Sequence, residues 1–171
     1  MRLYLCGFMG AGKTTVGRLV AAELGCGFLD LDDRVEAAAG MPVAEIFERW
    51  GETYFRDLEH ACLGRTRAEG GAVIATGGGT MTFERNLRLL SRLGTTLWLD
   101  VDFEDLLDRL DGAGRARRPL FRDEAKARRL FRSRLPAYAR ADLRIRVGRD
   151  ATSRDVAANI LDLIRATSCD T

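Results

Sequence analysis

Gly7-Phe8-Met9-Gly10-Ala11-Gly12-Lys13-Thr14-Thr15, set directly after the apolar run Leu3-Tyr4-Leu5-Cys6, decides how the chain folds. Its first eight residues fit G-x-x-x-x-G-K-[ST] in full, between a strand-like run and a helix-like one. Glycines at this spacing let backbone N–H groups turn inward and approach phosphate oxygens with no Cβ in the way. A helix starting at Lys13 adds about half a positive charge at its N-terminus. Lys13 reaches the β- and γ-phosphates of a nucleotide, and the Thr14 hydroxyl ligates Mg²⁺. Gly10, Ala11, Gly12, Lys13, Thr14 and Thr15 are therefore the expected nucleotide cradle. The bland alternative is an ordinary glycine-rich strand-to-helix turn, and the complete motif in its required context weighs against it.

Outward from this loop, short apolar runs alternate with helix-length segments. Arg2 to Cys6 reads as a strand, and Lys13 to Leu24 as a helix with Val16, Leu19, Val20 and Leu24 on one face. Gly25 is a natural stop for it. Gly27 to Asp32 reads as a second strand, Pro42 to Trp50 as a helix, and Thr53 to Glu69 as another. Ala72 to Thr76 is a third strand, closed by Gly77, Gly78 and Gly79. Thr95 to Asp100 is a fourth, with Asp102 capping the next helix, and Leu143 to Val147 a fifth. A final helix begins near Thr152, where Thr152-Ser153-Arg154-Asp155 resembles a capping box. Strands separated by helices imply right-handed crossovers and a mostly parallel sheet covered on both faces, with ligands beyond the strands' carboxyl ends. No repeat or low-complexity linker interrupts the pattern, so residues 1–171 are expected to form a single domain.

Composition narrows the function classes. A chain of 171 residues, 46% hydrophobic and 30% charged, suits one globular domain that buries roughly 70% of its unfolded surface without staples. Cys6, Cys26, Cys62 and Cys169 form no C-x-x-C pair, which argues for reduced thiols and against a zinc site or disulfide frame. No run approaches the ~18 apolar residues of a membrane span, and the N-terminus does not read as a signal peptide, so a cytoplasmic setting without membrane contact is expected. Lys+Arg 27 against Asp+Glu 25 gives +2, a near-balance that makes no global case for nucleic acid. Lys13 and Lys126 are the chain's lysines, the remaining positive charge being arginine, which makes a lysine after Gly12 more telling. A monomer is expected.

The N-K-x-D base-reading segment of a GTPase is missing. The third strand ends in three glycines where a Walker B acid usually stands; Asp100 is either that acid displaced or a plain strand-end residue. Carboxylates near the phosphates are better sought in Leu29-Asp30-Leu31-Asp32-Asp33. Strand alternation would aim Asp30 and Asp32 to one side, one supporting Mg²⁺ through its waters, the other contacting an attacking hydroxyl. Helix capping and surface charge are the alternative for all three, and the preferred one for Asp33. His60, the single histidine, falls in a helix and reads as surface or packing.

"GFMGAGKT", "FLDLD", "IFERWGETYFRDLE", "ATGGGT", "RRPL" and "RLPAY" occur in order, and together they resemble shikimate kinase from near the N-terminus to about Tyr138. The resemblance implies a three-layer α/β P-loop NTPase fold of the nucleoside-monophosphate-kinase type, with a five-stranded parallel sheet and a mobile lid at about 111–123. It implies transfer of the ATP γ-phosphate to the 3-hydroxyl of shikimate, with Mg²⁺. Carried over residue by residue, Thr14 and Asp30 serve the metal, and Asp32 binds substrate hydroxyls and assists proton removal. Arg56 and Arg134 hold the substrate carboxylate, and Gly77, Gly78 and Gly79 form the backbone wall of the site. Lys13 and Arg118, the latter in a lid that closes over the phosphates, complete the catalytic set with Asp32.

These roles agree with the chemistry of a small ring bearing a carboxylate and three hydroxyls, for which guanidinium forks and a carboxylate acceptor are the natural partners. Phe47 and Phe55 are either an apolar side of the pocket or plain core, and Glu59 either orients Arg56 or Arg134 or makes a surface salt bridge. Against the family pattern, the chain is slightly longer before Arg118 and shorter between Arg118 and Arg134. The adenine-flanking arginine has Arg109 as its nearest match, and the late adenine loop falls within Gly148 to Ser153. A kinase for another polyol acid such as gluconate, or a non-catalytic nucleotide- or RNA-binding module, are the competing readings.

Overall fold

The computed structural model describes residues 1–109 and 123–169. The element order is β1 Arg2–Cys6, α1 Lys13–Glu23, β2 Gly27–Asp30, α2 Leu31–Ala39, α3 Val43–Arg65, β3 Ala72–Ala75, α4 Glu84–Leu93, β4 Thr95–Val101, α5 Phe103–Arg109, α6 Glu124–Tyr138, β5 Leu143–Val147 and α7 Ser153–Cys169. Five strands form one parallel sheet in the order β2-β3-β1-β4-β5. β1, β3 and β4 are buried almost throughout, as continuous Val/Ile/Leu-rich strands must be when helices cover both faces. Leu3, Tyr4, Leu5, Val73, Ile74 and Leu97 are wholly shielded from solvent. The predicted α/β architecture and all five strands are present. Among the described residues no helix is long and apolar enough to cross a membrane.

Strand order is what builds the site. β2, β3 and β1 are neighbours, with Asp30 beside Ala75 and Ala75 beside Leu5 in register. Strands lie about 4.8 Å apart. The Asp-rich turn, the triple glycine and the phosphate loop therefore leave the same sheet edge side by side.

Several local expectations change. β2 stops at Asp30, and α2 begins at Leu31, so Asp30 and Asp32 do not alternate along a strand. Asp30 is the N-cap of α2, its side chain accepting from the Asp32 N–H, and Leu31 and Val35 bury one face of the helix. The two helices expected over Pro42 to Trp50 and Thr53 to Glu69 are present within the span α3, separated at Gly51, where φ 75 and ψ 177 exclude helical geometry, and the second ends at Arg65 rather than Glu69. α4 was not anticipated, although Leu90 and Leu93 pack inward from it. The capping box is present: Thr152 Oγ1 accepts from the Asp155 N–H at 3.2 Å, and Asp155 Oδ2 accepts from the Thr152 N–H at 2.9 Å. Cys6, Cys26 and Cys62 are free thiols. The expected lid, including Arg118, lies but for its last residue outside the described residues.

Candidate functional site

The loop from Gly7 to Gly12 joins β1 to α1 and ends with Gly12 at φ 92 and ψ 12, a left-handed conformation that a Cβ would strain. Gly12 contributes no capping side chain, so the first-turn N–H groups of α1 face the loop's hollow. Lys13 Nζ folds back along the loop and donates to the carbonyls of Gly7 (2.9 Å) and Phe8 (3.0 Å). Ala11 is buried and Thr15 is exposed. Thr14 Oγ1 donates to Asp30 Oδ2 at 2.7 Å, which ties the phosphate loop to the end of β2.

Asp32 stands in the first turn of α2, beside that pair. The residue as a whole is exposed, yet its carboxyl group is crowded: Oδ1 would lie 3.0 Å from a Cβ on Gly77. Desolvation, reinforced by the Asp30 and Glu59 charges and opposed by Lys13, raises its pKa to about 6. Among the described residues its carboxylate accepts no hydrogen bond.

The triple glycine is the wall against which the other site residues pack. A Cβ on Gly77 would meet Glu59 Oε1 at 2.8 Å; one on Gly79 would meet the Arg56 guanidinium at 2.6–2.9 Å. On Gly78 it would lie 3.2 Å from Arg134 Nη1, 3.5 Å from the Met9 nitrogen and 3.7 Å from the Gly7 carbonyl oxygen. At Gly77 and Gly79 a Cβ would force Glu59 or Arg56 to move, whereas at Gly78 the end of Arg134 alone would have to give slightly. Each carbonyl of the segment is anchored: Gly77 accepts from the Thr80 N–H, Gly78 from the Tyr138 hydroxyl, and Gly79 from the Thr82 N–H and hydroxyl.

Arg56 is 8% exposed and held from three directions. Glu52 Oε1 accepts from Nε (3.2 Å) and Nη2 (3.1 Å), Glu59 Oε2 accepts from Nη1 (3.1 Å), and the Phe55 and Phe83 rings lie 4.9 and 5.0 Å from the guanidinium carbon. Three of five N–H donors are thus used, leaving one on each terminal nitrogen for a carboxylate fork. Glu59 is fully buried, with Thr80 Oγ1 donating to its other oxygen at 2.7 Å, so the surface salt-bridge alternative fails. Phe55 is buried, whereas Phe47 is 37% exposed and stacks on it at 4.6 Å between centroids. Arg134, on α6, lies over the ring of the loop residue Phe8 at 5.6 Å.

Outside this cluster, Asp100 is buried under Arg144 and Arg146, with donor distances of 2.6–3.0 Å to its Oδ2. Its charge is matched within the sheet, and the displaced Walker B alternative loses its basis. Asp102 precedes α5 and accepts from Arg146. His60 is half-buried and packs as expected, its Nδ1 2.7 Å from Asn86 Oδ1. Arg109 Nη2 donates to the Gly148 carbonyl at 3.2 Å, joining the two segments named for adenine. Sequence reasoning missed Glu52, Phe83, Thr80 and the hydroxyl of Tyr138; the spacing of Glu52 to Arg56, one helical turn, was the available signal.

The family model for shikimate kinase matches residues 9–165. A shikimate kinase of Trichormus variabilis is 42% identical over 167 residues, covering 96% of this chain and 91% of its own. One from Gloeobacter violaceus is 46% identical over 146 residues, 84% of this chain and 81% of its own. Among solved structures, the shikimate kinase of Acinetobacter baumannii in complex with shikimate superposes with a TM-score of 0.89 at 38% identity, covering 97% of this chain and 93% of that one.

Proposed function

The chain belongs to the shikimate kinase family and is an ATP-dependent kinase that forms shikimate 3-phosphate, and we propose the following division of labour among its residues. Gly10 to Thr15 cradle the ATP phosphates, with Lys13 swinging from the Gly7 and Phe8 carbonyls to the β- and γ-phosphates. Arg56 and Arg134 grip the shikimate carboxylate from either side of Gly77, Gly78 and Gly79. Asp32 orients the 3-hydroxyl and accepts its proton as the oxygen attacks the γ-phosphorus. Arg118 neutralises charge on the transferring group, and Arg109 with the Gly148 loop flanks the adenine. The single observation that carries this reading is the position of Gly78, where a Cβ would meet both the phosphate-loop backbone and Arg134, so two compartments share one wall.

A magnesium ion suits this donor set. Thr14 Oγ1 and Asp30 Oδ2 are hard oxygens 2.7 Å apart at the cradle, and Mg²⁺ takes one or two protein oxygens, keeping waters and phosphate oxygens for the rest. Among the described residues no group of three or more acidic, histidine or cysteine side chains could hold a metal, so a cation here depends on the nucleotide's phosphates. When bound, Mg²⁺ neutralises charge developing between the β- and γ-phosphates. The 171-residue chain acts as one monomeric kinase domain in the cytoplasm.

The test is shikimate-dependent ADP release with ATP and Mg²⁺. Lys13→Ala should lower turnover by roughly 10²–10³-fold while equilibrium shikimate binding persists. No turnover by the wild-type protein, with shikimate or across a panel of polyol acids, would overturn the assignment.

A further inference from the structure

Tyr138 is the last residue of α6, 1% exposed, and its hydroxyl donates to the Gly78 carbonyl at 2.5 Å. Burial pushes this phenol well above its usual range, with the neighbouring Arg134 pulling the other way, so the group is a neutral donor at physiological pH. The ring lies 6.0 Å from that of Trp98 on β4, which fixes the hydroxyl against the glycine segment.

The consequence follows from peptide planarity. In a trans peptide the carbonyl of one residue and the N–H of the next point in opposite directions. Gly78 C=O and Gly79 N–H belong to one peptide, so a hydroxyl holding the carbonyl on one side fixes the N–H on the other. Flanking residues without Cβ atoms present little barrier to rotation of that unit. Thr80 N–H and the Thr82 donors restrain the carbonyls of Gly77 and Gly79, but the central peptide depends on Tyr138. The Gly79 N–H makes no hydrogen bond within the described residues, and Gly79 itself lies against Arg56.

We propose that Tyr138 is a positioning residue for the acceptor substrate: it latches the Gly78–Gly79 peptide so that the Gly79 N–H is presented, ready-oriented, as a third donor beside Arg56 and Arg134. The same side chain stands one helical turn beyond Arg134, so the latch sets the guanidinium and the backbone donor in one register. This rests on the reading of the triple glycine as the substrate wall.

Tyr138→Phe tests it, because the ring and its packing remain. Losing one oriented hydrogen bond and freeing the peptide should raise the Michaelis constant for shikimate roughly fivefold to tenfold, with that for ATP unchanged and the melting temperature little moved. Equal changes for both substrates, or a melting-temperature loss without a selective shikimate effect, would make Tyr138 merely structural and overturn the proposal. Arg56→Ala separates the two claims. If it weakens shikimate binding while Tyr138→Phe does not, the latch fails and the wall stands; if neither does, the wall itself is misread.

Discussion

Arg56→Ala perturbs two things that can be measured apart. The first is recognition. Two N–H donors on the terminal nitrogens remain for a substrate carboxylate, and each charge-assisted bond contributes about 1.5–3 kcal/mol. With Arg134 retaining part of the grip, the Michaelis constant for shikimate should rise on the order of 100-fold, and that for ATP by less than about twofold. The second is stability. Glu59 is fully buried and, among the described residues, loses its one cationic partner and keeps the Thr80 hydroxyl. Stranding one member of a buried pair costs about 3–5 kcal/mol. In a domain of this size each kcal/mol moves the melting temperature by roughly 2–4 °C, so a fall of roughly 6–20 °C is expected. Arg56→Ala with Glu59→Gln removes the stranded charge while keeping the Thr80 bond. The double variant should therefore recover most of the melting temperature and none of the shikimate affinity. Coupled ADP-release kinetics and calorimetry on the single and double variants decide the matter. A double variant as unstable as the single one would refute the burial argument, and near-normal shikimate kinetics in either would refute the carboxylate role.

Gly79→Ala places a Cβ 2.6 Å from Arg56 Nη2, so it should displace the guanidinium and raise the shikimate Michaelis constant selectively; unaltered kinetics would mean the wall is not where the substrate sits. Asp32 must be ionised to accept a proton, so kcat/KM should climb as pH rises through about 6, and Asp32→Asn should lose both that limb and most turnover. The same group has a stability signature of defined sign. Folding raises its pKa, so its stabilising contribution is present below the ordinary carboxylate range and is lost as pH rises through about 6. Thermal melts of the Asn variant across that window should lack this decline, and an identical pH profile would remove Asp32 as its source.

What the sequence made legible was local. The phosphate loop needs glycines, a lysine and a hydroxyl at fixed spacing in one short stretch, and the structure forms it between β1 and α1. Asp30 and Asp32 do fall beside the phosphate loop, but not by the strand geometry expected of them. Alternation was assumed, whereas Leu29-Asp30-Leu31-Asp32-Asp33 is a helix start, with an aspartate cap, acids in the first turn and Leu31–Val35 spacing inward. α4 also left its mark, since Leu87, Leu90 and Leu93 recur at helical spacing among arginines. Other features had no local signal. Glu59 sits next to His60 on a charged helix, and the segment after β3 closes over it, with Gly77 packed close and Thr80 donating to it. Asp100 is neutralised by arginines of β5, and the Tyr138 hydroxyl finds its partner 60 residues back along the chain. Pairings of this kind are fixed by strand order.

The three carboxylates of the site show why burial and partners, and not residue type, assign the roles. Glu59 has both oxygens engaged, by Arg56 and Thr80, and serves as a fixed counter-charge. Asp30 has both engaged too, by the Thr14 hydroxyl and the Asp32 N–H, which suits a group that supports a cation near the phosphates. Asp32 alone among them accepts no hydrogen bond within the described residues, and desolvation, reinforced by the negative charge of Asp30 and Glu59, disfavours its ionised form. A base for an alcohol needs that combination: open lone pairs directed at the substrate space and a raised proton affinity. Asp30→Asn should act through the nucleotide and its cation, Glu59→Gln through shikimate affinity, and Asp32→Asn through turnover. If all three depressed the same kinetic constant, partner occupancy would not be what divides their work.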